Sequence, residues 1–127
     1  MSKLDAALYY IKSRISKFEV SVTGKKKSSY KYLESIKGKY QGKRCFVLGN
    51  GPSLMPEDLN RLKGEITFAS NRIYKIFDKA EWRPTFFGML DESVAELEGV
   101  IDGINSFECE KKFALQEGYY IFKKFKG

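Results

Sequence analysis

The sequence predicts an α/β fold with a mostly parallel sheet, and two observations lead to that prediction. Beyond residue 43, short apolar runs typical of strands alternate with segments whose apolar residues recur at helical spacing. Most of these runs end in glycine or polar side chains, as strands do where a parallel sheet binds a ligand. Strands and helices that alternate at this spacing form βαβ units with right-handed crossovers. We therefore expect an α/β sheet of about four strands with flanking helices.

The first 42 residues precede this pattern, so we divide the chain into residues 1–42 and 43–127. Apolar side chains near the N terminus recur at steps of four and three, which predicts an amphipathic helix over residues 3–18. A second helix is predicted from Ser28 or Ser29 to about Ile36. Serine can cap its start, and Gly38 follows its end.

The strand that opens the second segment is a continuous apolar run, Cys-Phe-Val-Leu at residues 45–48. Such a run is typical of a parallel strand buried on both faces, and Cys45 is then a small buried apolar residue. Pro56 suits the first turn of the next helix, which Gly64 ends. The further predicted elements are strands at residues 66–69, 85–90 and 112–115, a short helix around residues 73–77, an amphipathic helix over residues 94–104, and a strand or a helix at residues 119–122.

The composition excludes several classes of protein. The chain has 127 residues, 43% of them apolar and 15% aromatic, which indicates a packed domain and not a disordered or low-complexity chain. There is no apolar run long enough to span a membrane and no signal-peptide pattern, so we expect a cytoplasmic protein. The sequence contains no histidine, which excludes a histidine-dependent triad, a histidine base and a Cys/His zinc site.

The net charge of +7 is concentrated in residues 24–44, which hold eight basic residues and one acidic residue. Such a segment can contact the phosphates of nucleic acid, an anionic membrane surface or a nucleotide. It can equally be a solvated linker and helix face. No nucleic-acid-binding motif accompanies the bases, so nucleic acid is not an expected partner. Peripheral association with the inner membrane surface stays an alternative.

A glycine-rich turn follows the first strand and reads Gly-Asn-Gly-Pro-Ser-Leu at residues 49–54. Its glycines allow a tight turn and a close approach to a ligand, and the amides near Ser53 favour an anion. The turn lacks the third glycine of the dinucleotide fingerprint, and Asn71 stands where that fingerprint has an acidic residue. A purely structural turn explains the same residues equally well. Polar residues also end the following strands: Ser70, Asn71, Asp91, Glu92 and Ser93.

A longer set of sequence segments is a more specific signal than the turn alone. Residues 46–54 read Phe-Val-Leu-Gly-Asn-Gly-Pro-Ser-Leu, residues 68–74 read Phe-Ala-Ser-Asn-Arg-Ile-Tyr, and Trp-Arg-Pro-Thr and Leu-Asp follow at residues 82–85 and 90–91. Together they resemble the 6-hydroxymethylpterin diphosphokinase-like (MptE-like) domain. The turn is also similar to that of bacterial CMP-sialic-acid-dependent sialyltransferases. Both resemblances imply a Rossmann-like fold.

The resemblances imply different roles for the strand ends. The sialyltransferase pattern implies that the turn surrounds the nucleotide and its phosphate and that Asn71 contacts the nucleotide. The turn residues concerned are Gly49, Asn50, Gly51, Pro52 and Ser53. The MptE-like pattern implies that Asp91 lies near the phosphates or a magnesium ion, which Asp91 and Glu92 could hold together with ligand phosphates. Alternatively, Asp91 caps the following helix.

Both families continue beyond the length of this chain, and the sialyltransferases use a histidine as general base. We therefore expect the nucleotide-binding N-terminal half of a glycosyltransferase-like enzyme, inactive alone, with a CMP-sugar donor and a role in cell-surface glycan synthesis. A degenerate domain that binds without turnover fits the same residues. The alternatives are diphosphate transfer from ATP to a pterin alcohol, with magnesium, and a basic module that binds nucleic acid or an anionic surface. An incomplete sheet would also leave an open edge that favours self-association.

Overall fold

A computed structural model describes residues 28–89 and 91–114. The helix expected over residues 3–18 and the element expected at residues 119–122 lie outside the described residues. The chain divides into two units, Met1–Gly42 and Lys43–Gly127, and each is described by itself.

The described part of the first unit contains helix α1 (Ser28–Ser35). Within its last turn the Ser35 hydroxyl donates a hydrogen bond to the Tyr32 carbonyl at 2.7 Å. Turns follow, and Gly38 lies in the left-handed region with φ +79°. A side chain is strained in that conformation, so glycine suits the end of the helix. The prediction for this helix is confirmed.

The second unit has a four-stranded sheet in which all neighbouring strands are parallel. The strand order is β1-β2-β3-β4, and the α/β, Rossmann-like prediction is confirmed. Its elements, in chain order, are β1 (Cys45–Leu48), α2 (Pro56–Arg61), β2 (Ile66–Ser70), a 3-10 helix (Ile73–Ile76), β3 (Phe86–Met89), α3 (Glu92–Ala95), α4 (Val100–Asn105) and β4 (Lys111–Ala114). No helix in the described ranges is long and apolar enough to cross a membrane.

The hydrophobic core lies on one face of this sheet. Right-handed crossovers between strands in sequential order place the connecting segments on the same face. Ala69 and Phe87 from the sheet accordingly share a buried cluster with Leu59 of α2 and Ile104 of α4. The ring of Phe107 packs edge-on against Phe87, with centroids 5.4 Å apart. Burial of these apolar side chains is the main force that holds the helices to the sheet.

The prediction that β1 is buried on both faces is wrong. The Val47 side chain is 79% exposed, and Cys45 is also exposed. Successive side chains of a strand point to opposite faces, so Val47 faces away from the helices. In the described sheet β1 has a neighbouring strand on one side only, whereas β3 lies between two strands and all its residues are buried.

The single amphipathic helix predicted over residues 94–104 is also wrong, because the structure has two short helices there. Helix α3 ends at Ala95, and α4 begins at Val100. Gly99 between them has φ +73°, a left-handed conformation that interrupts the helical hydrogen bonding. The apolar spacing nevertheless identified core residues of this segment correctly, because Val100 and Ile104 are buried in the core.

A buried lysine closes the end of α4. Lys112 of β4 is 7% exposed, and its ammonium donates hydrogen bonds to the Ile104 carbonyl at 2.8 Å and to the Phe107 carbonyl. The last carbonyls of a helix lack partners within the helix, and a cation there also interacts favourably with the helix dipole. Lys112 therefore has a structural role at the end of α4.

Candidate functional site

A groove of about 330 Å³ lies beside the carboxyl ends of β1 and β2. The glycine-rich turn after β1 contributes to its lining, and so do the 3-10 helix and the residue before it. The lining residues are Asn50, Gly51, Leu54, Arg72, Ile73, Lys75 and Ile76. Parallel sheets bind ligands at this end of their strands, so the groove has the location of a binding site.

The glycines of the turn are not required by its backbone. The Leu54 N–H donates to the Gly51 carbonyl at 3.1 Å and closes the turn. Neither Gly49 nor Gly51 has a left-handed φ. A Cβ on Gly49 would meet nothing within 4 Å, and one on Gly51 would meet only the Ser53 hydroxyl at 3.8 Å. The turn therefore does not depend on glycine for its backbone conformation, and the space beside Gly51 is open to a ligand.

Asn50 joins the ends of two strands. Its side-chain amide donates a hydrogen bond to the Ser70 carbonyl at 2.9 Å. Its carboxamide oxygen accepts no hydrogen bond from the described residues and can therefore accept one from a ligand in the groove. Asn50 thus both positions the turn and offers an acceptor.

The backbone conformation at residue 71 explains why asparagine occurs there. It adopts a left-handed conformation with φ +54°, which asparagine tolerates better than most residues. Its N–H donates to the Gly88 carbonyl of β3 at 3.0 Å. Asn71 does not line the groove, although the next residue does.

The structure does not bring all the predicted site residues together. Asn50 and Gly51 line the groove, whereas the others lie outside its lining. Those outside are Gly49, Pro52, Ser53, Asn71 and Asp91.

Asp91 caps helix α3. Its Oδ1 accepts hydrogen bonds from the Ser93 hydroxyl at 2.6 Å, the Ser93 N–H at 3.0 Å and the Val94 N–H at 3.4 Å. The hydroxyl bond from Ser93 and then the N–H bond from Val94 lower the pKa of the Asp91 carboxyl, because they stabilise its charged form. The described residues contain no group of three or more acidic or cysteine side chains that could hold a metal ion.

Two cationic side chains of the groove, Arg72 and Lys75, were not predicted as site residues from the sequence. Arg72 directly precedes the 3-10 helix and Lys75 lies in its last turn, and a spacing of three residues places them on one side of it. Their position directly after the end of β2 was the signal that could have identified them. The charge count had drawn attention to residues 24–44 instead, of which Arg44 forms an ion pair with Glu65.

The 3-10 helix is held in place from two sides. Ile73 is buried in the core. The Tyr74 ring lies against α4 at Gly103, so closely that a Cβ on Gly103 would be 2.6 Å from its Cζ. These contacts fix the wall of the groove that carries Arg72 and Lys75.

The chain matches no protein-family model, no curated protein and no solved structure at a significant level. Its function is therefore inferred from the groove and the residues around it.

Proposed function

We propose that this chain binds a nucleotide-activated donor in the groove, as the nucleotide-binding part of a glycosyltransferase-like enzyme of the sialyltransferase type. The observation that carries the proposal is the groove itself, at the carboxyl ends of β1 and β2 and lined by an amide, an open glycine and two cations. A role in cell-surface glycan synthesis follows from the resemblance of the turn at residues 49–54.

The size and lining of the groove suit one nucleotide. Ligand pockets range from about 300 to 1,000 Å³, and this groove is at the lower end of that range. Leu54, Ile73 and Ile76 offer apolar contact to a base or sugar, and the Asn50 oxygen can accept a hydrogen bond from a hydroxyl or amino group. We assign ligand binding, and no catalytic step, to the described lining residues.

Diphosphate transfer from ATP, with magnesium at Asp91, stays an alternative prediction. It needs the Asp91 carboxylate for the metal, whereas Oδ1 of that carboxylate already accepts three hydrogen bonds in the α3 cap. ATP with magnesium is therefore one arm of the test below.

The experiment is a calorimetric titration of the purified chain with CMP, and with ATP plus magnesium, compared between Gly51→Val and Gly49→Val. Both backbones accept a Cβ, but only Gly51 lines the groove. We expect Gly51→Val to weaken CMP binding roughly tenfold or more, because the side chain occupies ligand space, and Gly49→Val to leave it unchanged. Equal binding by the two variants, or no nucleotide binding by the folded wild type, would refute the proposal.

Asn71 needs a different variant. Alanine at φ +54° strains the backbone, so a loss of binding in Asn71→Ala has two explanations. Glycine tolerates this conformation and removes only the amide. Binding that is retained in Asn71→Gly but lost in Asn71→Ala indicates that Asn71 shapes the backbone and that its amide does not contact the ligand.

A further inference from the structure

Arg72 carries a charge that no residue in the described ranges neutralises. Its Nε is buried and has no hydrogen-bond partner, and its guanidinium forms no ion pair with a described residue. A buried donor without a partner costs free energy, so native proteins contain few of them. The Nε itself is not accessible from the groove, but Arg72 is part of the lining, so we expect the counter-ion of its guanidinium to be a ligand bound there.

The other described arginines show what structural arginines do in this fold. Each of them is paired: Arg44 with Glu65, Arg61 with Asp58, and Arg83 with the carbonyls of Phe77, Ala80 and Trp82. Arg83 also lies over the Phe77 ring, 4.3 Å from its centroid. Arg72 differs from all of these.

Lys75 adds a second positive charge to the same wall. It is exposed, it lines the groove, and it forms no ion pair or hydrogen bond with the described residues through its side chain. No acidic residue is among the lining residues in the part of the chain that the structure describes. The groove therefore carries the positive charges of Arg72 and Lys75, and these favour the binding of an anionic ligand.

We propose that Arg72 and Lys75 bind a phosphate group of the ligand, Arg72 through its planar guanidinium and Lys75 as a flexible point charge. The proposal rests on the proposed function for the nucleoside part of the ligand, but the phosphate site can be tested separately. A guanidinium presents parallel donors that match two phosphate oxygens, whereas an ammonium offers charge without that geometry. A phosphate group bound here would neutralise the charge of Arg72 and accept hydrogen bonds from its terminal guanidinium nitrogens, which have no hydrogen-bond partner among the described residues.

The probes are CMP, cytidine and inorganic pyrophosphate, each titrated calorimetrically into the wild type and into variants at low ionic strength. Cytidine carries the base and sugar without phosphate, and pyrophosphate carries phosphate without the nucleoside. The test variants are Arg72→Gln, Arg72→Lys and Lys75→Gln. The controls are Arg61→Gln and Lys79→Gln, which remove the same charges at exposed positions outside the groove.

We expect Arg72→Gln to weaken CMP and pyrophosphate binding roughly tenfold or more, since hydrogen bonds to charged groups are the stronger ones. Arg72→Lys should recover part of this loss because it restores the charge without the guanidinium. Lys75→Gln should have a smaller effect, both controls should bind as the wild type does, and added salt should weaken CMP more than cytidine. Thermal unfolding followed by circular dichroism confirms that each variant is folded.

The outcomes separate the two proposals. If folded Arg72→Gln binds CMP and pyrophosphate as tightly as the wild type, the phosphate site is refuted and nucleotide binding stands. If pyrophosphate binds in an Arg72-dependent way but CMP binds no more tightly and cytidine not at all, the phosphate site stands and nucleotide specificity is refuted. If none of the three probes binds to the folded wild type, both proposals are refuted.

Discussion

Replacing Gly103 by alanine tests how firmly α4 supports the groove. Gly103 lies within α4, and a Cβ placed there would be 2.6 Å from Cζ and 2.7 Å from Cδ2 of the Tyr74 ring. Carbon atoms in ordinary contact are about 3.5–4.0 Å apart, so the ring or the helix must move by about 1 Å. Tyr74 belongs to the 3-10 helix that carries Lys75 and follows Arg72, and a shift of the ring moves that wall of the groove.

Two opposing contributions determine how much Gly103→Ala changes the free energy of unfolding. Alanine is favoured over glycine in a helix interior by about 1 kcal/mol. Overpacking in a well-packed region typically costs about 1–3 kcal/mol. The steric contribution exceeds the helical one here because the nearest atoms belong to a half-buried ring that also packs beside the core. We therefore expect Gly103→Ala to lower the free energy of unfolding by up to about 2 kcal/mol.

The assay is urea unfolding of a double-mutant cycle with Tyr74→Ala. Removing the ring removes the steric contribution, so Gly103→Ala in the Tyr74→Ala background should be neutral or stabilising by up to about 1 kcal/mol. This change of sign is the sharp prediction, because a general intolerance of α4 to alanine would destabilise both backgrounds alike. An equal destabilisation in the two backgrounds, or none in the wild type, would refute the proposed contact.

Two further predictions concern the cap of α3 and the open face of β1. The Ser93 hydroxyl and then the Val94 N–H lower the pKa of Asp91, so the stabilisation from the cap is present above the pKa of an unfolded aspartate and is lost as pH falls through the folded value. The difference in melting temperature between wild type and Asp91→Asn should accordingly shrink below about pH 4, and a difference that does not change between pH 7 and pH 3 would contradict this account. Val47→Ala should change the free energy of unfolding by less than about 0.5 kcal/mol, because the side chain is exposed. Leu59→Ala should lower it by about 2–5 kcal/mol, because that side chain is buried, and urea unfolding measures both changes. A cost above about 1.5 kcal/mol at Val47 would show that its face of the sheet is covered.

Local patterns in the sequence were sufficient to locate the strands. The run Cys45–Leu48 was predicted at the residues where β1 lies, because a short apolar run bounded by a charged residue and a glycine has few alternatives. The burial of β1 was not predictable in the same way. It depends on which strands become neighbours and on which face the helices pack, and local sequence does not specify either.

The candidate site was predictable only in part. The glycine-rich turn identified Asn50 and Gly51, because both their position after a strand and their residue types are local features. The role of Arg72 depends on the 3-10 helix packing beside that turn, and its lack of a partner is visible only once the other arginines are seen to be paired. A guanidinium without a counter-ion has no signature in a sequence.

Asn50 and Asn71, the two asparagines predicted to contact the ligand, also hold the backbone around the groove in place. The Asn50 amide ties the turn to the last carbonyl of β2, and the left-handed Asn71 redirects the chain directly after that strand. Together they set where the next residue, Arg72, begins the wall of the groove. Loss of binding on substitution of either asparagine by alanine is therefore expected whether or not the asparagine contacts the ligand. The residues that report on the ligand itself are Arg72, whose charge has no counter-ion among the described residues, and Gly51, whose missing side chain leaves the groove open.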